Sequence, residues 1–163
     1  EAFERFIIKV GAHTTAAVQS IHALPDLLAH AIYFSTGHDF HDDPRGEKIA
    51  NLVYVTKVLR RTSEYRDLSS VLLDVQAGTA WDHLAALSNS SKHRSLIRTS
   101  FNEDWTGTRA RKRELQFTHF VRTGTQYKPI AVLDLIEPEF DRLSLLVIRI
   151  GHLLNAALRA NAG

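Results

Sequence analysis

A single helical phase runs unbroken through Phe3, Phe6, Ile7, Val10, Ala17, Val18, Ile21, Leu24, Leu28, Ala31 and Ile32. No other feature of the sequence restricts the fold as strongly. Apolar residues that recur on one face of a helical repeat must be covered by something else. The stripe predicts one helix over residues 2–35, about 50 Å long at 1.5 Å per residue. Pro25 lies inside it and cannot donate to the Ile21 carbonyl, so a kink or a break is expected there. Gly37 is placed to end the helix.

A polar segment, His38-Asp39-Phe40-His41-Asp42-Asp43-Pro44-Arg45-Gly46, reads as a loop. A second helix is expected over 47–61, burying Ile49, Leu52, Val53, Thr56 and Leu59. Thr62 or Ser63 is placed to cap the next one. That helix carries Tyr65, Leu68, Val71, Leu72 and Val75 towards Gly78. The phase continues through Thr79, Asp82, Ala86 and Asn89, so the third and fourth helices could be one element weakened at Gly78. Runs 95–101 and 113–121 have strand character, with Leu115, Phe117 and Val121 on one face. Arg122-Thr123-Gly124-Thr125-Gln126 reads as a turn, and Pro129 suits a helix start. Ile130, Leu133, Phe140, Leu143, Val147, Ile150, Leu154 and Leu158 form a last helical stripe. Pro138 is expected to break or kink it near its start, leaving a final helix over about 139–160.

The fold class is therefore mainly α: a single domain over 1–163, a bundle of about four long helices. A β-hairpin over 95–122 is inserted before the last of them. At 163 residues the chain is long enough to bury a core. It has no cysteine, which excludes disulfides and thiolate chemistry and fits a reducing, cytoplasmic setting. No apolar run of about 18 residues is free of charge, so no membrane span is expected. The chain begins at Glu1 and contains no methionine, which points to a processed chain. Residues 76–126 hold eight Lys or Arg against four acids, a local basic excess of the kind that meets phosphates.

Four constellations could carry chemistry. Asp82, Ala86, Asn89 and His93 share one helix face with apolar neighbours. On that face His93 would be a general acid/base oriented by Asn89, with Asp82 below and Lys92 or Arg94 holding an anion. The plainer reading makes Asn89 and His93 helix-end caps. His22, Asp26 and His30 form a polar seam on the first helix. The two histidines stand about 12 Å apart along it, too far to share a metal ion easily. The adjacent pair His38-Asp39 resembles the dyad of metal-dependent phosphohydrolases, but it lies in the expected loop. Arg109, Arg111, Lys112 and Arg113, with Trp105 nearby, could neutralise phosphates and stack on a base. There is no Gly-rich phosphate loop and no Ser-His-Asp signature, and no cofactor motif or metal site is expected.

The segment Asn89-Ser90-Ser91-Lys92-His93-Arg94 resembles the terminal Asn-x-x-Lys-His signature of some members of the HEPN superfamily. These are helical-bundle domains of bacterial toxins and phage-defence proteins. The resemblance implies a metal-independent ribonuclease or RNA-binding domain that works as a dimer. It makes His93 the catalytic histidine and Asn89 a supporting polar residue. Active members carry an arginine five to seven positions before the histidine; here those positions hold Ala86, Leu87 and Ser88, and the nearest arginine is Arg94. A Lys-His-Arg segment followed by a β-hairpin and a long last helix also resembles bacterial proteins of that layout.

The reading that follows is a HEPN-like domain that binds RNA or a nucleotide through Lys92, Arg94 and the hairpin cations, as a homodimer without a membrane partner. The alternatives are a non-catalytic dimerising module and a metal-dependent hydrolase built on His22, Asp26 or His30.

Overall fold

The computed structural model describes residues 1–37, 50–93 and 97–161, with the side chain of His93 outside that set. The loop 38–46, the start of the second expected helix, Arg94 and the start of the first strand run lie outside the described residues. The chain is mainly helical, with a small antiparallel sheet before its last long helix. Its helices are α1 (Ala2–Ser35), α2 (Leu52–Leu59), α3 (Arg66–Leu72), α4 (Thr79–His93) and α5 (Val132–Asn161). Its strands are β1 (Thr99–Glu103), β2 (Arg113–Phe117), β3 (Phe120–Arg122), β4 (Thr125–Tyr127) and β5 (Ile130–Ala131). Only α1 and α5 are long, so the described helices are not four of comparable length. Packing divides the chain into two compact units, residues 1–22 with 78–140 and residues 23–77 with 141–163.

Helix α1 follows its stripe from end to end, and Pro25 does not break it. The Pro25 ring is fully buried, so packing offsets the missing hydrogen bond. At the C-terminus the Thr36 hydroxyl donates to the Ile32 carbonyl at 2.8 Å. Gly37 then takes φ +72, a conformation open to glycine, and ends the helix as expected.

In the unit of residues 23–77 and 141–163, Ala29, Ile32, Leu59, Leu68, Leu72, Val75 and Ile150 are buried. Asn51 caps α2, its side chain accepting from Tyr54 N at 2.9 Å. The buried face of α2 is Leu52, Val55, Thr56, Val58 and Leu59. Val53, expected inside, is 74% exposed. Neither Thr62 nor Tyr65 makes a side-chain cap for the segment that follows; Ser63 bonds Glu64 instead. Helix α3 ends in a 3-10 turn over Leu73–Gln76. Ala77 is then extended and Gly78 takes φ +102, so α3 and α4 are separate elements. Arg142 of α5 donates from Nη1 to the Asp74 carbonyl at 2.6 Å and from Nη2 to the Val75 carbonyl at 3.1 Å. A cation thus meets carbonyls at the end of a helical segment, where their partial negative charge collects.

In the unit of residues 1–22 and 78–140, β1, β2 and β5 form one antiparallel sheet, with Thr99 opposite Phe117 and Phe117 opposite Ile130. Strands β3 and β4 form a separate hairpin, with Phe120 opposite Tyr127 and Arg122 opposite Thr125. Its two turn residues, Thr123 at φ 47 and Gly124 at φ 83, both have positive φ, as the favoured two-residue hairpin turn requires. Phe117 is fully buried, whereas Val121 is 48% exposed because it belongs to the second hairpin and not to the strand of Leu115 and Phe117.

Two proline expectations are corrected. Pro129 precedes the short strand β5, not a helix. Helix α5 starts at Val132 and continues through Pro138. A proline inside a helix costs about 3 kcal/mol. Burial of Val132 and Leu135 in the turns before it contributes about 1.5–3 kcal/mol each, enough to hold those turns. Asp134 adds an ion pair to Arg111 at 2.8 Å.

By length and composition α5 could also cross a membrane, and only 17% of its most apolar stretch is buried. Arg149 interrupts that stretch, so a search for a charge-free run passes it over.

Candidate functional site

Helix α4 is set by its apolar face. Trp81, Leu84, Ala86, Leu87 and Ser88 are buried. Asp82 is exposed and Asn89 half-buried, and they stand about 10 Å apart along the helix, so they do not form one cluster. The side chain of His93, the third member of the expected stripe, lies outside the described residues. The polar link between α1 and α4 is made elsewhere. Gln19 Nε2 donates to Ser91 Oγ at 3.1 Å, and Ser91 Oγ donates to the Ser88 carbonyl at 2.7 Å.

The seam on α1 also separates into different contacts. His22 stacks on Trp81, with ring centroids 5.8 Å apart and planes 3° apart. His30 Nδ1 donates to the backbone carbonyl of Asp26 at 2.8 Å, not to its carboxylate, and Asp26 is exposed. Among the described residues no group of three or more His, Asp or Glu stands close enough to hold a metal ion.

The residue that sequence spacing passed over is His83. It lies beside Asp82 but off the expected stripe. Its ring is 5.1 Å from Tyr127 and 5.7 Å from Phe120, tilted 59° to both. Phe120 and Tyr127 stack on each other at 4.7 Å. Nε2 of His83 is buried with no hydrogen-bond partner among the described residues. Burial lowers its pKa below the ordinary 6.5, so the ring is neutral at pH 7. Above it opens a groove of about 600 Å³ lined by Thr79, Asp82, His83, Arg122, Tyr127 and Lys128.

The β1–β2 hairpin carries the expected basic run, and its side chains divide by partner. Arg111 Nη1 pairs with Asp134 and, at 3.4 Å, with Glu114. Arg113 pairs across the strands with Glu103 at 3.1 Å. Arg109 and Lys112 are exposed and make no ion pair among the described residues, and Lys92 is exposed on α4. The loop is held by Asp104. Its carboxylate accepts from Thr106 N at 2.9 Å, from the Thr106 hydroxyl and from Arg109 N at 2.8 Å. The Thr106 hydroxyl, then the Arg109 amide, lower the Asp104 pKa to about 2. Within this loop Trp105 is 83% exposed. It lines a groove of about 640 Å³ with Phe3, Phe6, Phe101, Glu103 and Arg113. Phe3 meets Phe101 edge to face at 5.6 Å.

Comparison with protein-family models, with characterised proteins and with solved structures finds no match for this chain.

Proposed function

We propose that this chain is a cytoplasmic, HEPN-like helical domain that binds single-stranded RNA through its β1–β2 hairpin and the aromatic groove beside it. The observation that carries this reading is Trp105, 83% exposed at the groove formed with Phe3, Phe6 and Phe101. Arg109 and Lys112 in the same hairpin loop are free of ion pairs among the described residues. Single-stranded nucleic acid binds where aromatic faces take bases and nearby cations track phosphates. Such stacking contributes about 1–3 kcal/mol per base. Arg111 and Arg113 serve the hairpin through Asp134 and Glu103, so the phosphate contacts fall to Arg109, Lys112 and Lys92. The reading is one of binding; cleavage by His93, with Asn89 and Asp82, and a role in toxin or phage-defence systems rest on the partial signature alone.

Fluorescence tests it directly, because Trp105 is exposed while Trp81 is 5% exposed. Titration with a single-stranded RNA should quench the Trp105 emission with strong salt dependence. Trp105→Ala should abolish the signal and weaken binding measured by anisotropy about tenfold or more. Unchanged affinity in Trp105→Ala and in Arg109→Ala/Lys112→Ala would remove the reading.

Homodimerisation is part of the same proposal. Leu145 and Ile148, one turn apart on α5, are 70% and 58% exposed, an apolar surface that a second copy would cover. Sedimentation of wild type and Leu145→Glu should show a dimer lost in the variant.

A further inference from the structure

We infer that the groove between the first turns of α4 and the β3–β4 hairpin binds a phosphate group. It is a site separate from the RNA surface proposed on β1–β2 and does not depend on it.

The groove holds about 600 Å³. Arg122, at the end of β3, and Lys128, just after β4, both line it, and neither makes an ion pair among the described residues. The hairpin register places Arg122 opposite Thr125 and Tyr127 opposite Phe120, and Lys128 directly follows Tyr127. Two like charges lining one groove repel, and a bound anion relieves that repulsion. Thr79, Thr125 and Gln126 line the same space, residue types that can donate hydrogen bonds beside the two cations. A phosphate accepts several such bonds at once, and those from cations are the strong ones. His83 and Tyr127 line the groove, and both rings pack on Phe120, so the ring cluster fixes the hairpin cations beside α4.

Asp82 is the opposing group on the same groove. Its carboxylate leaves a net single positive charge over Asp82, Arg122 and Lys128 while His83 is neutral. This makes a signed prediction that a merely structural role for these residues does not make. Removing a cation weakens phosphate binding, and removing the Asp82 charge strengthens it.

The test is calorimetric titration at low salt with inorganic phosphate, with adenosine 5′-monophosphate and with adenosine. Phosphate and the monophosphate should bind saturably and adenosine should not. A monophosphate tighter than phosphate identifies a phosphate ester as the ligand class, and equal affinity identifies the free anion. Arg122→Gln and Lys128→Gln should each weaken binding roughly tenfold or more. Asp82→Asn should tighten it several-fold. Trp105→Ala, which removes the proposed RNA platform, should leave it unchanged, so the two proposals fail separately. Thermal melts show that each variant is folded. The assignment is overturned if wild type binds neither phosphate nor the monophosphate, or if adenosine binds as well as the monophosphate. It is equally overturned by affinity that survives the folded Arg122→Gln/Lys128→Gln double variant, by weaker binding in Asp82→Asn, or by loss of binding in Trp105→Ala.

Discussion

His83 in the second turn of α4 and Tyr127 at the end of β4 hold ring centroids 5.1 Å apart at 59°, which fastens the hairpin to the helix. Phe120 stacks on Tyr127 from the paired position of β3, so the three rings form one cluster. Aromatic pairs contribute about 0.5–1.5 kcal/mol beyond the area they bury. Tyr127→Ala should lower stability by about 2 kcal/mol in chemical denaturation. A double-mutant cycle with His83→Ala should return a coupling of about 0.5–1.5 kcal/mol. Purely additive losses would mean the contact carries no energy of its own.

His83 also predicts an acid sensitivity. Its folded-state pKa lies below the ordinary 6.5 because burial disfavours the charged ring. The unfolded chain therefore binds the proton first as pH falls below 6.5. Stability is full above that value and declines as the solution is acidified towards the folded-state pKa. Asp82, Arg122 and Lys128 share the groove with His83 and set the local field. His83→Phe should flatten the melting temperature between about pH 7 and 5 relative to wild type. A wild-type slope that persists in the variant would assign the effect to other histidines.

Asp104 behaves in the opposite sense. Its pKa is lowered to about 2 by the Thr106 hydroxyl and the Arg109 amide. Its contribution is present above the ordinary carboxylate value and is lost as pH falls through about 2. Asp104→Ala should release the loop that carries Trp105, seen as faster hydrogen exchange at the amides of Thr106 and Arg109. Unaltered exchange at both amides would show that the loop is held by something else.

The β3–β4 turn contains a correctable strain. Thr123 is β-branched at φ 47, a region such residues rarely occupy. Asn tolerates it, so Thr123→Asn should stabilise by about 0.5–1 kcal/mol. Gly124→Ala, at φ 83, should destabilise by about 1–2 kcal/mol. Equilibrium unfolding of the two variants should move in opposite directions; movement in the same direction would count against this turn geometry.

Arg142 makes two hydrogen bonds to successive backbone carbonyls, at Asp74 and Val75. Charge-assisted bonds of this kind contribute about 1.5–3 kcal/mol. Arg142→Ala should cost that order in urea unfolding, and Arg142→Lys should recover little because an ammonium lacks the planar fork. Full recovery by lysine would show that charge alone matters there.

Much of the local structure was legible in the chain. The stripe from Phe3 to Ile32 announced α1 through its helical repeat, although only part of it, such as Val18 and Ile32, is buried and Phe3 and Phe6 stay more than half exposed. Gly37 determined where α1 ends through its backbone freedom. The change of period after α4 announced strands before the last helix, and the turn at Thr123-Gly124 was visible as a turn.

Tertiary structure decided the rest. Pro138 reads as a break or kink near the start of the last helix, yet α5 already begins at Val132 and passes through it because Val132 and Leu135 are buried ahead of it and Asp134 reaches Arg111. Val53 sits at a plausible buried position of α2 and points outward because the packing of Val55 and Val58 sets the face. The strands β3 and β4 are three residues each, too short for a two-residue period to register. The groove at His83 was illegible for a related reason. Asp82 and His83 are adjacent in sequence, but Arg122, Tyr127 and Lys128 reach them only when a distant hairpin folds back onto α4. Local periodicity determined which helices and turns this sequence favours. Which side chains meet was decided by long-range packing, because burial energy exceeds the local preferences it overrides.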